Sequence, residues 1–181
     1  MQSPLRELAP ALAGQSLRVL VWDRDLVDMW SLDAAGQRTP YRGQGSNWHV
    51  HADLELTTIT AGSGVLYVGD HIGRFAAPDC ILLGADVPHV WKSDGAMAGV
   101  ALQFRPDATP GLASLPECAA LERLWAAAGF GLRWQGATAA TLRAQVLELE
   151  GRSALERLGR FIAIAATMLA GVADDAQQLS G

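Results

Sequence analysis

The chain has four histidines, and two of them, His49 and His51, stand one residue apart. Glu55 follows four residues after His51. Imidazole nitrogen and carboxylate oxygen together suit Zn²⁺, Ni²⁺, Fe²⁺ or Mn²⁺. Successive side chains of a strand alternate faces, so His49, His51 and Glu55 share one face if the strand is unbroken. The intervening even positions Trp48, Val50, Leu54 and Leu56 are apolar. Either the odd face meets solvent, or both faces are covered and the odd face lines a polar cavity. Two residues on one wall need a further ligand from another strand. His89, in "VPHVW", opens a strand-like run after a turn and is the candidate. Three imidazoles and one carboxylate would hold a divalent metal and leave positions for water or a ligand. By the same parity, Thr57 and Trp91 are candidate pocket walls. Asp53 reads as a solvated turn or strand residue, and His71, in "GDHIG", as a surface residue. No Ser/His/Asp or Cys/His arrangement stands out, so no catalytic residue is assigned.

These residues need a scaffold, and residues 17 to 105 read as β-structure. Short runs of Val, Leu, Ile and Thr are broken by "AGSG" (61–64), "AAPD" (76–79), "GADVP" (84–88) and "KSDGA" (92–96). Turn signals at such short intervals predict a sandwich or barrel. The character changes after "RPDATPG" (105–111), a linker. "SLPECAALERLWAAAG" (114–129) has Ser114 and Glu117 at capping-box spacing and predicts a helix. "TAATLRAQVLELEG" (138–151) predicts a second, with Leu142, Val146 and Leu149 on one face. A third opens at Ser153 and Glu156, again a capping box. Its Leu155, Leu158, Ile162, Ala165, Leu169 and Val172 form an apolar seam widened by Phe161 and Met168. That seam packs on the barrel or a neighbouring helix, or on a second subunit. The final "ADDAQQLSG" reads as a loose tail.

Composition narrows the function. A length of 181 residues suits one domain, or one with a helical appendage, and 50% hydrophobic residues supply a core. A net charge of −5 and a single lysine, Lys92, argue against a chain that binds nucleic acid unaided. Cys80 and Cys118 lack metal-like spacing and read as small buried hydrophobes of a reducing compartment. The N-terminus lacks signal-peptide character, and "FIAIAATMLAGVA" (161–173) is too short to span a bilayer. A cytoplasmic protein with no membrane partner is expected.

The spacing also carries a resemblance. Five residues separate Gly43 from His49, and His51, Glu55 and Gly62 follow in turn. This resembles the first motif of the cupin superfamily, and the resemblance implies that His49, His51 and Glu55 bind metal. His89 matches the histidine of the second cupin motif. That motif is degenerate here: Pro78-Asp79 stands for a Gly-Asp turn, Gly84-Ala85-Asp86 for Pro-x-Gly, and Ser93 for an asparagine. Residues 48–94 more narrowly resemble the sensor domain of AraC-type transcriptional regulators, through "GSG…VGD.I..F…D..LLG…PHVW". The likeness runs on through "GLRWQGATAATL" and "LERLGRFIAIAATMLA" to cover roughly residues 17 to 172.

The resemblance implies a cupin double-stranded β-helix, a jelly-roll barrel in residues 1–110, followed by about three α-helices in 111–181. It implies a small-molecule effector in the barrel, a possible divalent metal beside it (zinc or nickel, with iron or manganese as alternatives), and a homodimer through the C-terminal helices. DNA would be bound through a helix-turn-helix domain outside this chain. The alternative is a free-standing metal-dependent cupin enzyme, of dioxygenase or sugar isomerase type.

Overall fold

Side chains branched at Cβ fit a pleated surface, and Val, Ile and Thr recur through residues 17–104. In the computed structural model, which describes residues 3–8, 15–106 and 110–181, this stretch forms paired strands. In chain order they are β1 (Leu5–Arg6), β2 (Leu17–Trp22), β3 (Asp28–Leu32), β4 (Arg38–Arg42), β5 (His49–Val50) and β6 (Leu54–Ala61). Then come β7 (Ser63–Val68), β8 (His71–Ala76), β9 (Asp79–Leu83), β10 (His89–Ser93) and β11 (Ala98–Phe104). A short α1 (Pro110–Ala113) leads to α2 (Leu121–Ala128), β12 (Leu132–Trp134), α3 (Gly136–Leu147), α4 (Ala154–Gly171) and β13 (Ala176–Gln178). Residues 107–109 of the expected linker, and residues 1–2 and 9–14 of the stretch inspected for a signal peptide, lie outside the described residues.

The strands make two sheets, ordered β1-β5-β10-β7-β8 and β13-β12-β9-β6-β11-β2-β3-β4. Leu66, Val68 and Trp91 of the smaller sheet share one buried cluster with Leu20, Ile59 and Ala101 of the larger. The sheets therefore close on each other as a jelly-roll barrel of the expected cupin type, with helices following it. A second cluster lies on the other face of the larger sheet. There Leu54, Leu56, Leu82 and Leu102 meet Leu142, Val146, Phe161, Ile164 and Met168 of the helices. Both faces of β6 are thus covered, which explains its apolar even positions. Cys80 is buried in this second core, and burial pushes its thiol up to about 12. Both cysteines are buried free thiols, as expected.

The helical half departs from expectation in four places. Ser114 does not cap a helix: its hydroxyl donates to the Gly111 carbonyl at 2.8 Å. Leu115, before Pro116, is extended (ψ 128°), because proline disfavours helical backbone in the residue preceding it. A 3₁₀ turn at Pro116–Cys118 follows, and α2 starts only at Leu121. Second, part of "GLRWQG" is strand β12, which pairs with β9. Third, the tail is no loose end: β13 pairs with β12, and Leu179 is buried. Fourth, the seam of α4 is rotated. The buried set is Arg157, Phe161, Ile164, Ala165, Met168 and Gly171. Except for Ala165, each stands one residue before a predicted seam position, a turn of about 100° around the helix. Large Phe161 and Met168 fill the space over the sheet. Gly171 lets the helix close on Thr138, whose Cγ2 would lie 2.7 Å from an added Cβ. The capping box of Ser153 and Glu156 is formed as expected.

Candidate functional site

β10 pairs antiparallel with β5 so that His89 lies directly opposite His49. His51 follows in the turn after β5, because the strand breaks at Val50 and resumes at Leu54. The unbroken strand expected for 49–55 is therefore absent, yet the turn still brings His51 back to the other two. His49, His51 and His89 are buried, and one ligand nitrogen from each lies within 4.8 Å of the others. All three Nδ1 atoms face backbone carbonyls: Asn47 at 2.8 Å for His49, Asp53 at 2.9 Å for His51, Val87 at 2.8 Å for His89. A carbonyl only accepts, so each Nδ1 carries a proton, and Nε2 is the nitrogen left to offer a lone pair when a ring is neutral. Nε2 of His89 is buried without a hydrogen-bond partner. An orphaned buried acceptor and two neighbours set in the same tautomer fit a divalent transition metal.

Glu55 is fully committed. Its Oε2 lies 3.1 Å from His51 Nε2 and accepts from Gln103 Nε2 at 2.8 Å, while Oε1 accepts from the Thr57 hydroxyl. Burial favours the neutral acid, but His51, His89 and Thr57 outweigh it and hold Glu55 below the ordinary carboxylate range. Burial opposes charge on His51, yet the Glu55 carboxylate raises its pKa. His89 goes the other way: burial, then the neighbouring His49, push it down to about 3. Without an ion, the proton of the cluster thus rests between His51 and Glu55, and His89 stays neutral.

A cavity of about 30 Å³ adjoins the cluster. Glu7, Gln44, His49, Glu55, Thr57 and Gln103 form its polar wall, and Leu20, Trp22, Leu26, Met29 and Trp91 its apolar wall. That volume accommodates a water-sized occupant. Thr57 and Trp91 both line it. Trp91 also meets the His89 ring edge-on at 5.4 Å between centroids.

A family model described as the AraC-like ligand binding domain matches residues 31–152. The chain belongs to the family of AraC-like ligand-binding domains. Its fold is similar to the crystal structure of CuxR, an AraC-like transcriptional activator, at a TM-score of 0.50 and 14% identity. The likeness covers 92% of this chain and 60% of CuxR, so this chain spans less than two thirds of that protein's length. A cupin 2 conserved barrel domain protein from Salinispora arenicola CNS-205 aligns at a TM-score of 0.33 and 19% identity, over 58% of this chain and 93% of that one. No curated protein matches. Membership of the family makes this a ligand-binding domain. No helix among its described residues is long and apolar enough to cross a membrane.

The AraC-like domain gathers His49, His51 and His89, sets Glu55 against His51, and places Thr57 and Trp91 on the cavity wall. Asp53 is not the solvated residue expected: it is buried, and Arg105 Nε donates to it at 2.6 Å. His71 begins β8 and stands outside the histidine cluster. Three polar contributors escaped the sequence reading. Gln103 pairs across the sheet with both Glu55 and Arg18, and Arg18 Nη1 donates to Gln103 Oε1 at 3.1 Å. A lone Arg in "LRVLVW" and a lone Gln in "VALQF" were the available signals. The third, Glu7, reaches the site through the parallel pairing of β1 with β5, which no local pattern announces.

Proposed function

We propose that this chain is the effector-binding and dimerisation part of an AraC-type transcriptional regulator, with a divalent metal held beside the effector cavity. The observation that carries it is the set of three buried imidazoles, each with Nδ1 tied to a carbonyl, and with one ligand nitrogen of each within 4.8 Å of the others. His49, His51 and His89 would hold zinc or nickel, with Glu55 beside them; iron also suits imidazole ligands, whereas manganese favours oxygen. A bound ion would supply a Lewis-acid contact to an oxygen or nitrogen of the effector. The chain's own part is to fix the imidazoles, screen them from bulk water and offer an apolar wall. The barrel of residues 1–110 senses, and residues 111–181 transmit.

The transmission surface is α4. Leu155 is 78%, Ile162 43% and Val172 41% exposed, although they belong to the apolar seam. One stripe of the helix packs on the barrel, and the neighbouring stripe is left for a second copy of the chain. DNA contact belongs to a helix-turn-helix domain outside this chain, and a cytoplasmic location follows from that role. Sedimentation velocity, with hydrogen exchange read over α4, tests the reading. The expected result is a dimer whose α4 protection changes when Zn²⁺ saturates the chain, and which dissociates in a Leu155→Glu/Ile162→Glu variant. A monomer with unchanged α4 protection at saturating Zn²⁺ would contradict it.

A further inference from the structure

A second cavity, of about 130 Å³, lies across β11 from the histidines. Gln103 borders the barrel cavity on one face of that strand, and its neighbour Phe104 borders this one on the other. Three aromatic rings from three elements form its wall: Phe104 of β11, Trp125 of α2 and Phe161 of α4. The planes of Trp125 and Phe161 are 15° from parallel, with centroids 6.4 Å apart. Phe104 is tilted against both, at 5.0 Å from Trp125 and 4.6 Å from Phe161. Leu112, Cys118 and Leu121 extend the apolar lining. Among the described lining residues Glu122 alone is charged, and it is exposed on the first turn of α2.

This lining selects an occupant by its chemistry. An apolar cavity of ~150 Å³ stays dry and binds benzene. The cavity at Phe104 is nearly that large. A flat aromatic guest gains offset-stacked and edge-to-face contacts with the three rings. An anionic guest would lose its hydration with no cation in the lining to replace it, and would meet the Glu122 carboxylate. A neutral guest that carries a hydroxyl can turn it to the rim and donate to Glu122. We propose that this cavity is a second ligand site, for a small neutral phenol-type molecule, separate from the barrel cavity. Its occupant touches β11, α2 and α4 together, at the joint between the barrel and the helices. The site stands independently of any metal at the histidines.

Phenol titrated into the full chain, followed by calorimetry and by NMR of the leucine methyls, tests the site. The expected result is saturable binding, with nuclear Overhauser contacts from the phenol ring to Leu112 and Leu121. Leu112→Phe, which fills the cavity, should abolish binding. Glu122→Ala should weaken phenol by roughly threefold to tenfold, the worth of one hydrogen bond, and leave benzene affinity unchanged. His49→Ala/His51→Ala, across the sheet, should bind phenol as the wild type does. Benzoate should not bind. Circular dichroism checks that each variant folds, and the wild-type contacts to Leu112 and Leu121 decide the matter where one does not. Phenol bound without those contacts, or lost in His49→Ala/His51→Ala and kept in Leu112→Phe, would overturn the site. So would a wild-type chain that binds no phenol, or one that binds benzoate equally well.

Discussion

The two cores on either side of the larger sheet follow different rules. The outer one, between the sheet and the helices, is mainly apolar, from Leu54 and Leu82 to Phe161 and Met168, with Thr58 beside Cys80 and Arg157 of α4 as buried polar side chains. The inner one, inside the barrel, is apolar at Leu66, Val68 and Phe75 but carries His49, His51, Glu55, Thr57, His89 and Gln103 as buried polar groups. β6 contributes to both, Leu54 and Leu56 outward, Glu55 and Thr57 inward. The outer core supplies folding free energy by burying apolar area. The inner core gives up part of that gain to hold polar atoms in fixed tautomers and hydrogen bonds. Stability and binding are therefore separable by mutation.

The sharpest break between the two is expected from Phe161→Ala. Loss of the ring that packs on Phe104, at 4.6 Å between centroids, should cost ~3–5 kcal/mol of unfolding free energy in urea and leave Zn²⁺ stoichiometry unchanged at low denaturant. The inner core should show the converse. Zn²⁺ at ~100 times its Kd should raise the wild-type unfolding free energy by about 2.7 kcal/mol, and His89→Gln should abolish this increment. Outside both cores, Ser153→Ala removes the cap of α4, whose hydroxyl accepts from Glu156 N–H, and should cost ~1 kcal/mol by urea unfolding. Leu155→Glu, on the exposed stripe, should change unfolding of the isolated protomer by less than ~0.5 kcal/mol while weakening self-association. Equal losses of stability for Phe161→Ala and Leu155→Glu would break the distinction between packed and unpacked stripes of α4.

Much of the barrel was legible because alternation and turn residues are local signals. The apolar even positions of 48–56 left two readings, an odd face toward solvent or both faces covered, and β6 takes the second; the helical cap at Ser153 was written in two residues. The histidine cluster was legible too, since His49 and His51 lie close in sequence and His89 follows a recognisable turn. What the chain hid was long-range. β12 and β13 are three residues each and gain their strand geometry from pairing, β12 with β9 and β13 with β12, rather than from composition. The face of α4 was misjudged because two neighbouring stripes of that helix are both apolar, and only Phe161, Met168 and Gly171 fit against the sheet and Thr138. Asp53 looked solvated because its partner, Arg105, is distant in sequence. Glu7 enters the site through a single parallel pairing.

Elemental mass spectrometry on the untagged chain and on a His49→Ala/His51→Ala variant tests the central claim most directly. One equivalent of a single transition metal in the wild type, absent from the variant, is the predicted result. No metal in either protein, even after exposure to zinc, nickel, iron and manganese, would contradict the metal centre and reduce the three imidazoles to polar walls of a metal-free pocket.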